Sequence, residues 1–192
     1  MPLVTAGPDV IRQEAEAILE KHKIEKLPLI DEQGLLKGMI SAKDMLKKKE
    51  FPNAARDEKG KLLVGAAIRL NADYLDETEK LLKAGADVIL LDTARANSKR
   101  VCDAVKAVKN KFQSVSLAVG NIDTPEAALA LIKAGADALK VGIGPGSACK
   151  TREATGVGIP QLTAVASCAA VAKKFGIPVI ADGGIRGGAD LS

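Results

Sequence analysis

LLKAGADVILLD, at Leu81–Asp92, recurs almost unchanged as LIKAGADALKVG, at Leu131–Gly142. A fainter third copy, KKFGIPVIADGG, covers Lys173–Gly184. In each copy, basic residues and a glycine, which are typical of the end of a helix, precede an apolar run that is typical of a buried strand. The repeat therefore predicts a helix–strand unit that the chain uses several times.

Two further apolar runs, LLVGAAI at Leu62–Ile68 and SVSLAV at Ser114–Val119, extend this alternation. Together with the repeats they predict strands near 62–68, 87–91, 114–119, 138–141 and 178–181, and helices at about 75–84, 97–110, 124–134 and 160–175. Strands separated by helices favour a parallel sheet. Polar or glycine-rich segments after the strands favour a (β/α)8 barrel, with its site at the carboxyl ends of the strands.

The predicted fold class is α/β, a partial (β/α)8 TIM barrel of about five strands. A closed barrel has eight strands, so we expect about three βα units to be missing from this chain. A doubly wound open sheet is the alternative.

Residues 1–50 show a different pattern and predict a separate small unit. The order is strand, helix, strand, strand, helix, with a hairpin at the turn Glu32–Gly34. Pro52 and Gly60 lie in the charged stretch that follows, as expected of an exposed boundary. We therefore predict an N-terminal unit at 1–50, a linker at 51–61 and the barrel part at 62–192.

Composition excludes several classes of protein. Hydrophobic residues make up 47% of the chain and charged residues 27%, which is typical of a soluble globular protein. The net charge of +4 is spread along helices and not clustered with aromatic residues, so we do not expect nucleic-acid binding. No apolar run approaches the about 18 residues that span a bilayer, and we predict a cytoplasmic protein without a membrane segment.

The stretch KVGIGPGSACKTREATGVGIPQ, at Lys140–Gln161, carries the strongest chemical signal. Its glycines follow a predicted buried strand, so the backbone can turn tightly and offer N–H and C=O groups to a phosphate or a cation. Cys149 stands in this loop between Lys150 and Arg152, whose positive charges are expected to favour the thiolate. Cys149 is therefore the candidate nucleophile, whereas Cys102 and Cys168, within helical patterns, are predicted to be structural.

Polar residues also follow the other predicted strands. In VIADGGIRGG, at Val179–Gly188, Asp182 can accept hydrogen bonds from ribose hydroxyls, and the next two glycines can hold a phosphate through their N–H groups, although a plain tight turn is the alternative. Asp92, Thr93 and Asn97 follow one strand, and Asn121 follows the next. Four strands thus bring polar residues to one rim. The single histidine, His22, lies in the N-terminal unit, so no Cys–His pair is expected.

In combination these motifs resemble the IMP dehydrogenase and GMP reductase family over nearly the whole chain. The resemblance is carried by GADALKVGIGPGSACKT at Gly135–Thr151, GVGIPQ at Gly156–Gln161 and VIADGGIR at Val179–Arg186. The segment His22–Leu46 resembles the second half of the paired CBS module of that family. The resemblance implies an NAD-dependent oxidoreductase of guanine nucleotide biosynthesis.

In the implied mechanism Cys149 attacks C2 of IMP, hydride passes to NAD, and water releases xanthosine monophosphate from a covalent intermediate, with Thr151 helping to activate the water. The resemblance assigns further residues by matching. Nucleotide binding falls to Ser147, Asp182, Gly183 and Gly184; cofactor binding to Asp92, Thr93, Asn121, Gly142 and Gly144; and a monovalent cation, usually K+, to the carbonyls of Gly144, Gly146 and Cys149.

Some residues depart from the family pattern, and alternatives stay open. Lys150, Arg95 and Ala96 are unusual for their positions, and the chain ends before the last strand and the mobile flap of the family. We therefore expect an inactive fragment of a protein that is a homotetramer at full length. GMP reductase, which converts GMP to IMP with NADPH, is one alternative and is favoured by TGVG at Thr155–Gly158. A regulatory fragment, whose CBS half binds adenine or guanine nucleotides with a partner, is another.

Overall fold

A computed structural model describes residues 3–58, 60–146 and 149–191. The chain divides into two compact units, Met1–Leu62 and Leu63–Ser192. Within the described ranges, no helix is long and apolar enough to cross a membrane.

The first unit is a hairpin with two helices. Its elements are α1 (Arg12–His22), β1 (Lys26–Ile30), β2 (Leu36–Ser41) and α2 (Ala42–Glu50), and β1 pairs antiparallel with β2. The Asp31 carboxylate forms the turn by accepting hydrogen bonds from the N–H groups of Gln33 and Leu35. The predicted order of elements is confirmed, although the first predicted strand is reduced to one parallel bridge between Ala6 and Leu29.

The second unit holds a five-stranded parallel sheet. Its strands are β3 (Gly65–Ile68), β4 (Val88–Asp92), β5 (Ser116–Ile122), β6 (Ala138–Val141) and β7 (Val179–Ala181). Its α-helices are α3 (Tyr74–Lys83), α4 (Lys99–Lys111), α5 (Pro125–Ala134), α6 (Thr151–Thr155) and α7 (Gln161–Ala172). The strands lie in the order β3-β4-β5-β6-β7, each parallel to its neighbour. The five predicted parallel strands are confirmed, and the sequential order contradicts the doubly wound alternative, in which the order reverses midway.

The repeated GAD sequence explains how β4 and β6 each attach to the chain segment that pairs with them. In the second copy Gly135, at φ +107°, ends α5 in the left-handed conformation. The carboxylate of Asp137 then accepts a 2.8 Å hydrogen bond from the N–H of Leu117, on β5. In the first copy Asp87 accepts a 2.8 Å hydrogen bond from the N–H of Val64 in the same way. One local motif therefore sets the end of a helix and the start of strand pairing.

The main core lies between the sheet and its helices. Alternate residues along the strands are fully buried there, namely Ile89, Leu91, Leu117, Val119, Leu139 and Val141. They pack in one cluster with apolar residues of α4, α5 and α7, among them Val105, Val108, Leu131 and Cys168. Since the strands are parallel, this packing brings all their carboxyl ends to one edge of the sheet, where the candidate site lies.

Candidate active site

The strand ends meet at a cavity of about 290 Å3. Its walls come from the ends of β4, β5, β6 and β7 and from the loop after β6; they include Asp92, Thr93, Ala94, Asn121, Lys140, Gly142, Ile143, Cys149, Thr151 and Asp182. The structure thus brings together Asp92, Asn121, Cys149 and Asp182, which sequence analysis placed on one rim. Asn97 is exposed and lines neither this cavity nor the adjoining one described below.

A second cavity of about 290 Å3 adjoins the first. It is lined by Asn121, Gly142, Pro145, Gly146, Cys149, Asp182, Gly183 and Gly184. Four of these residues, Asn121, Gly142, Cys149 and Asp182, also line the first cavity. Cys149 consequently lies at the boundary between two spaces, one with Asp92 on its far side and the other with the Gly183–Gly184 turn.

Hydrogen bonds stabilise the thiolate of Cys149. Its Sγ atom lies 3.3 Å from the Oγ1 atom of Thr151. The pKa of Cys149 is lowered by the Thr151 hydroxyl first, and then by the N–H groups of Thr151 and Gly144, while burial and the charge of Asp182 act against this. The expectation that Lys150 and Arg152 lower this pKa is wrong, because neither is among its causes.

The other two thiols have different surroundings. Cys168 is fully buried in the core on α7, and burial raises its pKa to about 11. Cys102 is half-buried on α4 and packs against the same core. Both positions agree with the predicted structural role.

Lys140 connects two carboxylates of the first cavity. Its Nζ atom lies 2.6 Å from Oδ2 of Asp182 and 3.1 Å from Oδ1 of Asp92, and its side chain is only 14% exposed. Asn121 donates from Nδ2 to Oδ2 of Asp182 and to the carbonyl of Gly142, both at 2.7 Å. Burial disfavours the charged carboxylate, but the contacts with Lys140 and Asn121 outweigh it and lower the pKa of Asp182. For Lys140 too, the carboxylates outweigh burial and raise its pKa.

Sequence analysis assigned no role to Lys140 or to Gln161. Gln161, the first residue of α7, donates from Nε2 to the carbonyls of Val141 at 3.0 Å and Asp182 at 3.1 Å, and so ties the ends of β6 and β7 together. Its Oε1 atom is buried with no hydrogen-bond partner among the described residues. A lysine inside a short apolar strand was the one signal that pointed to Lys140, whereas the contacts of Gln161 left no local pattern.

Glycine is required where the backbone of this loop approaches its neighbours. At Gly142, with φ +149°, a Cβ atom would lie 2.1 Å from the carbonyl oxygen of Asp182. Gly144, at φ +61°, lies against the side chain of Arg152, and its N–H is one of the groups that lower the pKa of Cys149. Gly144 does not line either cavity. The carbonyl of Gly146 accepts a 3.2 Å hydrogen bond from the N–H of Cys149. Ser147 lies outside the described residues.

The parallel sheet brings a thiol, two carboxylates and a lysine to adjoining cavities at the ends of its strands. This is the arrangement of an α/β ligand-binding domain. Comparisons with known proteins define the class further. The sequence model of the "IMP dehydrogenase / GMP reductase domain" matches residues 10–192. The chain belongs to the IMP dehydrogenase / GMP reductase family.

Individual relatives show how much of the family this chain represents. It is 52% identical to an inosine-5'-monophosphate dehydrogenase of Halalkalibacterium halodurans and 50% identical to that of Aquifex aeolicus, in each case over 98% of this chain and 39% of the relative. A crystal structure of a GMP reductase variant from Trypanosoma brucei aligns with a TM-score of 0.80 and 39% identity, over 98% of this chain and 42% of that one. The chain therefore spans about two-fifths of the length of these relatives.

Proposed function

We propose that this chain forms part of an IMP dehydrogenase-type oxidoreductase, in which Cys149 is the nucleophile. The observation that carries the proposal is the position of Cys149 at the boundary of two cavities. A reaction that moves hydride from a nucleotide to a dinucleotide needs both molecules beside the attacking atom. Family membership supports the same conclusion.

The cavity with Gly183 and Gly184 suits the mononucleotide. Both glycines have positive φ, near +79° and +77°, a backbone geometry that can direct N–H groups toward an anion such as a phosphate. Asp182 stands before them with 43% of its side chain exposed. Its Oδ2 atom accepts hydrogen bonds from both Lys140 and Asn121, so Oδ1 can accept a hydrogen bond from a ribose hydroxyl. A GMP reductase from Trypanosoma brucei has been solved in complex with guanosine 5'-monophosphate, which is consistent with a purine nucleotide here.

The cavity with Asp92 and Thr93 suits NAD. Asp92 is 46% exposed and contacts Lys140 through Oδ1, so its Oδ2 atom can accept a hydroxyl of a second ribose. Asn121 and Gly142 separate this cavity from the other and would lie beside the reacting ring. NAD supplies the hydride acceptor when it is bound.

The proposed chemistry at Cys149 balances in two steps. Sγ bonds to C2 of IMP, and the hydride leaves C2 with its electron pair for NAD, so the purine is oxidised and NAD is reduced. Water then adds at C2, the C2–S bond breaks, and xanthosine monophosphate and a proton are released with the thiolate regenerated. Thr151 contacts the sulfur, and this contact supports the proposal that its hydroxyl orients that water.

The other proposed features follow from the resemblance and lie around this chemistry. The five strands would form part of a (β/α)8 barrel, and the first unit would be one half of a CBS pair that binds adenine or guanine nucleotides. The carbonyls of Gly144, Gly146 and Cys149 would bind K+, which when bound would fix the loop that carries the thiol. The carbonyl of Gly146 already accepts a hydrogen bond from the N–H of Cys149. Among the described residues, the other two carbonyls of this proposed site, those of Gly144 and Cys149, accept no backbone hydrogen bond. We also propose a cytoplasmic homotetramer for the whole protein.

The test is direct detection of the covalent step. The longest reading frame that contains the chain is incubated with IMP and NAD, NADH formation is followed by absorbance, and acid-quenched samples are digested for mass spectrometry. We expect NADH and a purine adduct on the peptide with Cys149. Cys149→Ala should abolish both, whereas Cys102→Ser, the matched control, should keep both. An active Cys149→Ala variant would refute the nucleophile.

A GMP reductase is the second candidate, because three solved structures that align with the chain are GMP reductases from Trypanosoma brucei. The same preparation should then consume NADPH and release ammonia from GMP, and should form no NADH from IMP. Measuring both reactions side by side separates the two activities. Failure of both assays would contradict either enzyme function.

A further inference from the structure

Lys140 reaches a carboxylate on a strand that is not its neighbour. It lies on β6, and Asp92 ends β4, with β5 between them. In register, Lys140 pairs with Gly120, and Gly120 pairs with Asp92. The lysine side chain therefore crosses a whole strand to contact Asp92 at 3.1 Å.

Gly120 leaves the space for this crossing. A Cβ atom at position 120 would lie 2.5 Å from both the Cβ atom and the carbonyl oxygen of Lys140. Neighbouring residues on β5, such as Val119, carry side chains that are buried in the core. The glycine is thus needed for close approach on this strand and not for a left-handed backbone, since Gly120 does not have a positive φ.

We propose that Lys140 is a positioning residue that links the two ligand cavities, holding Asp182 for the nucleotide and Asp92 for the dinucleotide with one ammonium group. Two carboxylates that contact the same nitrogen lie close enough to repel each other when it is removed. The lysine side chain is 14% exposed, whereas the carboxylates are 46% and 43% exposed, so the lysine is fixed and the carboxylates face the ligands.

The role of Lys140 as a link between two ligands rests on the proposed function, because that function assigns one ligand to each carboxylate. It makes a specific prediction about affinity. Lys140→Met should weaken IMP and NAD binding alike, each about tenfold or more, since charge-assisted hydrogen bonds are lost on both sides. Asp182→Asn should weaken IMP binding alone, and Asp92→Asn should weaken NAD binding alone.

Binding is measured by isothermal titration of each ligand into the full reading frame and its variants. Lys133→Met is the matched control, because Lys133 is exposed on α5 and forms no ion pair among the described residues. Lys140→Arg should restore part of both affinities, which a purely steric role of the methylene chain would not explain. Loss of only one affinity in Lys140→Met would overturn the link.

A ligand-free measurement separates this proposal from the proposed function. In carboxyl 13C spectra, Lys140→Met should shift the resonances of both Asp92 and Asp182, and Lys133→Met should shift neither. If the wild-type protein binds neither IMP nor NAD while both resonances shift, the proposed function fails, and Lys140 still positions both carboxylates. If only one resonance shifts, the link fails whatever the protein binds. Should Lys140→Met not fold, Lys140→Gln, which also removes the charge, is measured in the same way, and unchanged spectra at both carboxylates would overturn the link.

Discussion

Gly142→Ala tests whether the close contact between the β6 loop and the β7 loop sets the geometry of the site. A Cβ atom there would lie 2.1 Å from the carbonyl oxygen of Asp182, so that carbonyl must retreat by about 1.3 Å to reach an ordinary contact of 3.4 Å. The same carbonyl accepts a hydrogen bond from Gln161, which this shift would break. At φ +149° the new side chain also strains its own backbone.

The expected loss of stability is the sum of those effects. Overpacking costs about 1–3 kcal/mol, an unfavourable φ about 1–3 kcal/mol and a lost hydrogen bond about 1 kcal/mol, so Gly142→Ala should destabilise by roughly 3–7 kcal/mol. That is a large part of the about 5–15 kcal/mol of a typical domain. Urea unfolding followed by far-UV circular dichroism measures the change.

Three other glycines separate the contributions. Gly120 has the close contact without a positive φ, Gly146 has φ +119° with nothing within 4 Å, and Gly187 has neither. The alanine variants should therefore lose stability in the order Gly142 first, Gly120 and Gly146 between, and Gly187 within about 0.5 kcal/mol of wild type. Equal stability of the Gly142 and Gly187 variants would refute the reasoning.

Three more predictions concern the thiols, pH and the repeat. Iodoacetamide at neutral pH should label Cys149 far faster than Cys168, because Cys168 is buried and its pKa is raised to about 11; equal labelling rates at the two thiols would contradict this. Thr151→Val should raise the pKa of Cys149 and move its labelling to higher pH. Folding lowers the pKa of Asp182, so this residue stabilises the protein at pH values above its unfolded pKa of about 3.9, and the stabilisation is lost as the pH falls through its folded pKa. Asp182→Asn should therefore flatten the acidic part of the profile of unfolding free energy against pH, measured by urea titration. Asp137→Ala should destabilise by about 1–3 kcal/mol because the N–H at the start of β5 loses its partner, and a change below about 0.5 kcal/mol in thermal unfolding would be evidence against that contact.

The fold followed from the sequence because its signals are local. The repeat at Leu81–Asp92 and Leu131–Gly142 holds a helix end, a turn and a strand within a dozen residues, and all five predicted strands are present. Errors lie at boundaries: β3 begins at Gly65 and not at residue 62, and β5 extends to Ile122.

Site residues were predictable where the residue type and its local motif indicate a chemical role. Contacts between residues that are far apart in the sequence were not predictable. Cys149 and Asp182 stand in glycine-rich loops after apolar runs, and the structure brings them together. The ion pair from Lys140 to Asp92 spans an intervening strand, and nothing near either residue in sequence reveals it. The cause of the lowered pKa of Cys149 was misjudged for the same reason, because adjacent charges in sequence need not face the sulfur in space.

The GAD motif bears on how such a sheet can grow during evolution. Asp137 binds the N–H of Leu117 on β5, and Asp87 binds the N–H of Val64, the residue before β3, so the group that docks a new strand lies inside the repeated segment. A tandem duplication of that segment would carry its own means of attachment, and a lengthened chain could add a strand in register without first acquiring new contacts. The third copy has Pro178 in place of the aspartate, and there the proline carbonyl accepts the N–H of Leu139. Divergence could thus remove the carboxylate once a backbone contact sufficed to keep the strand in place.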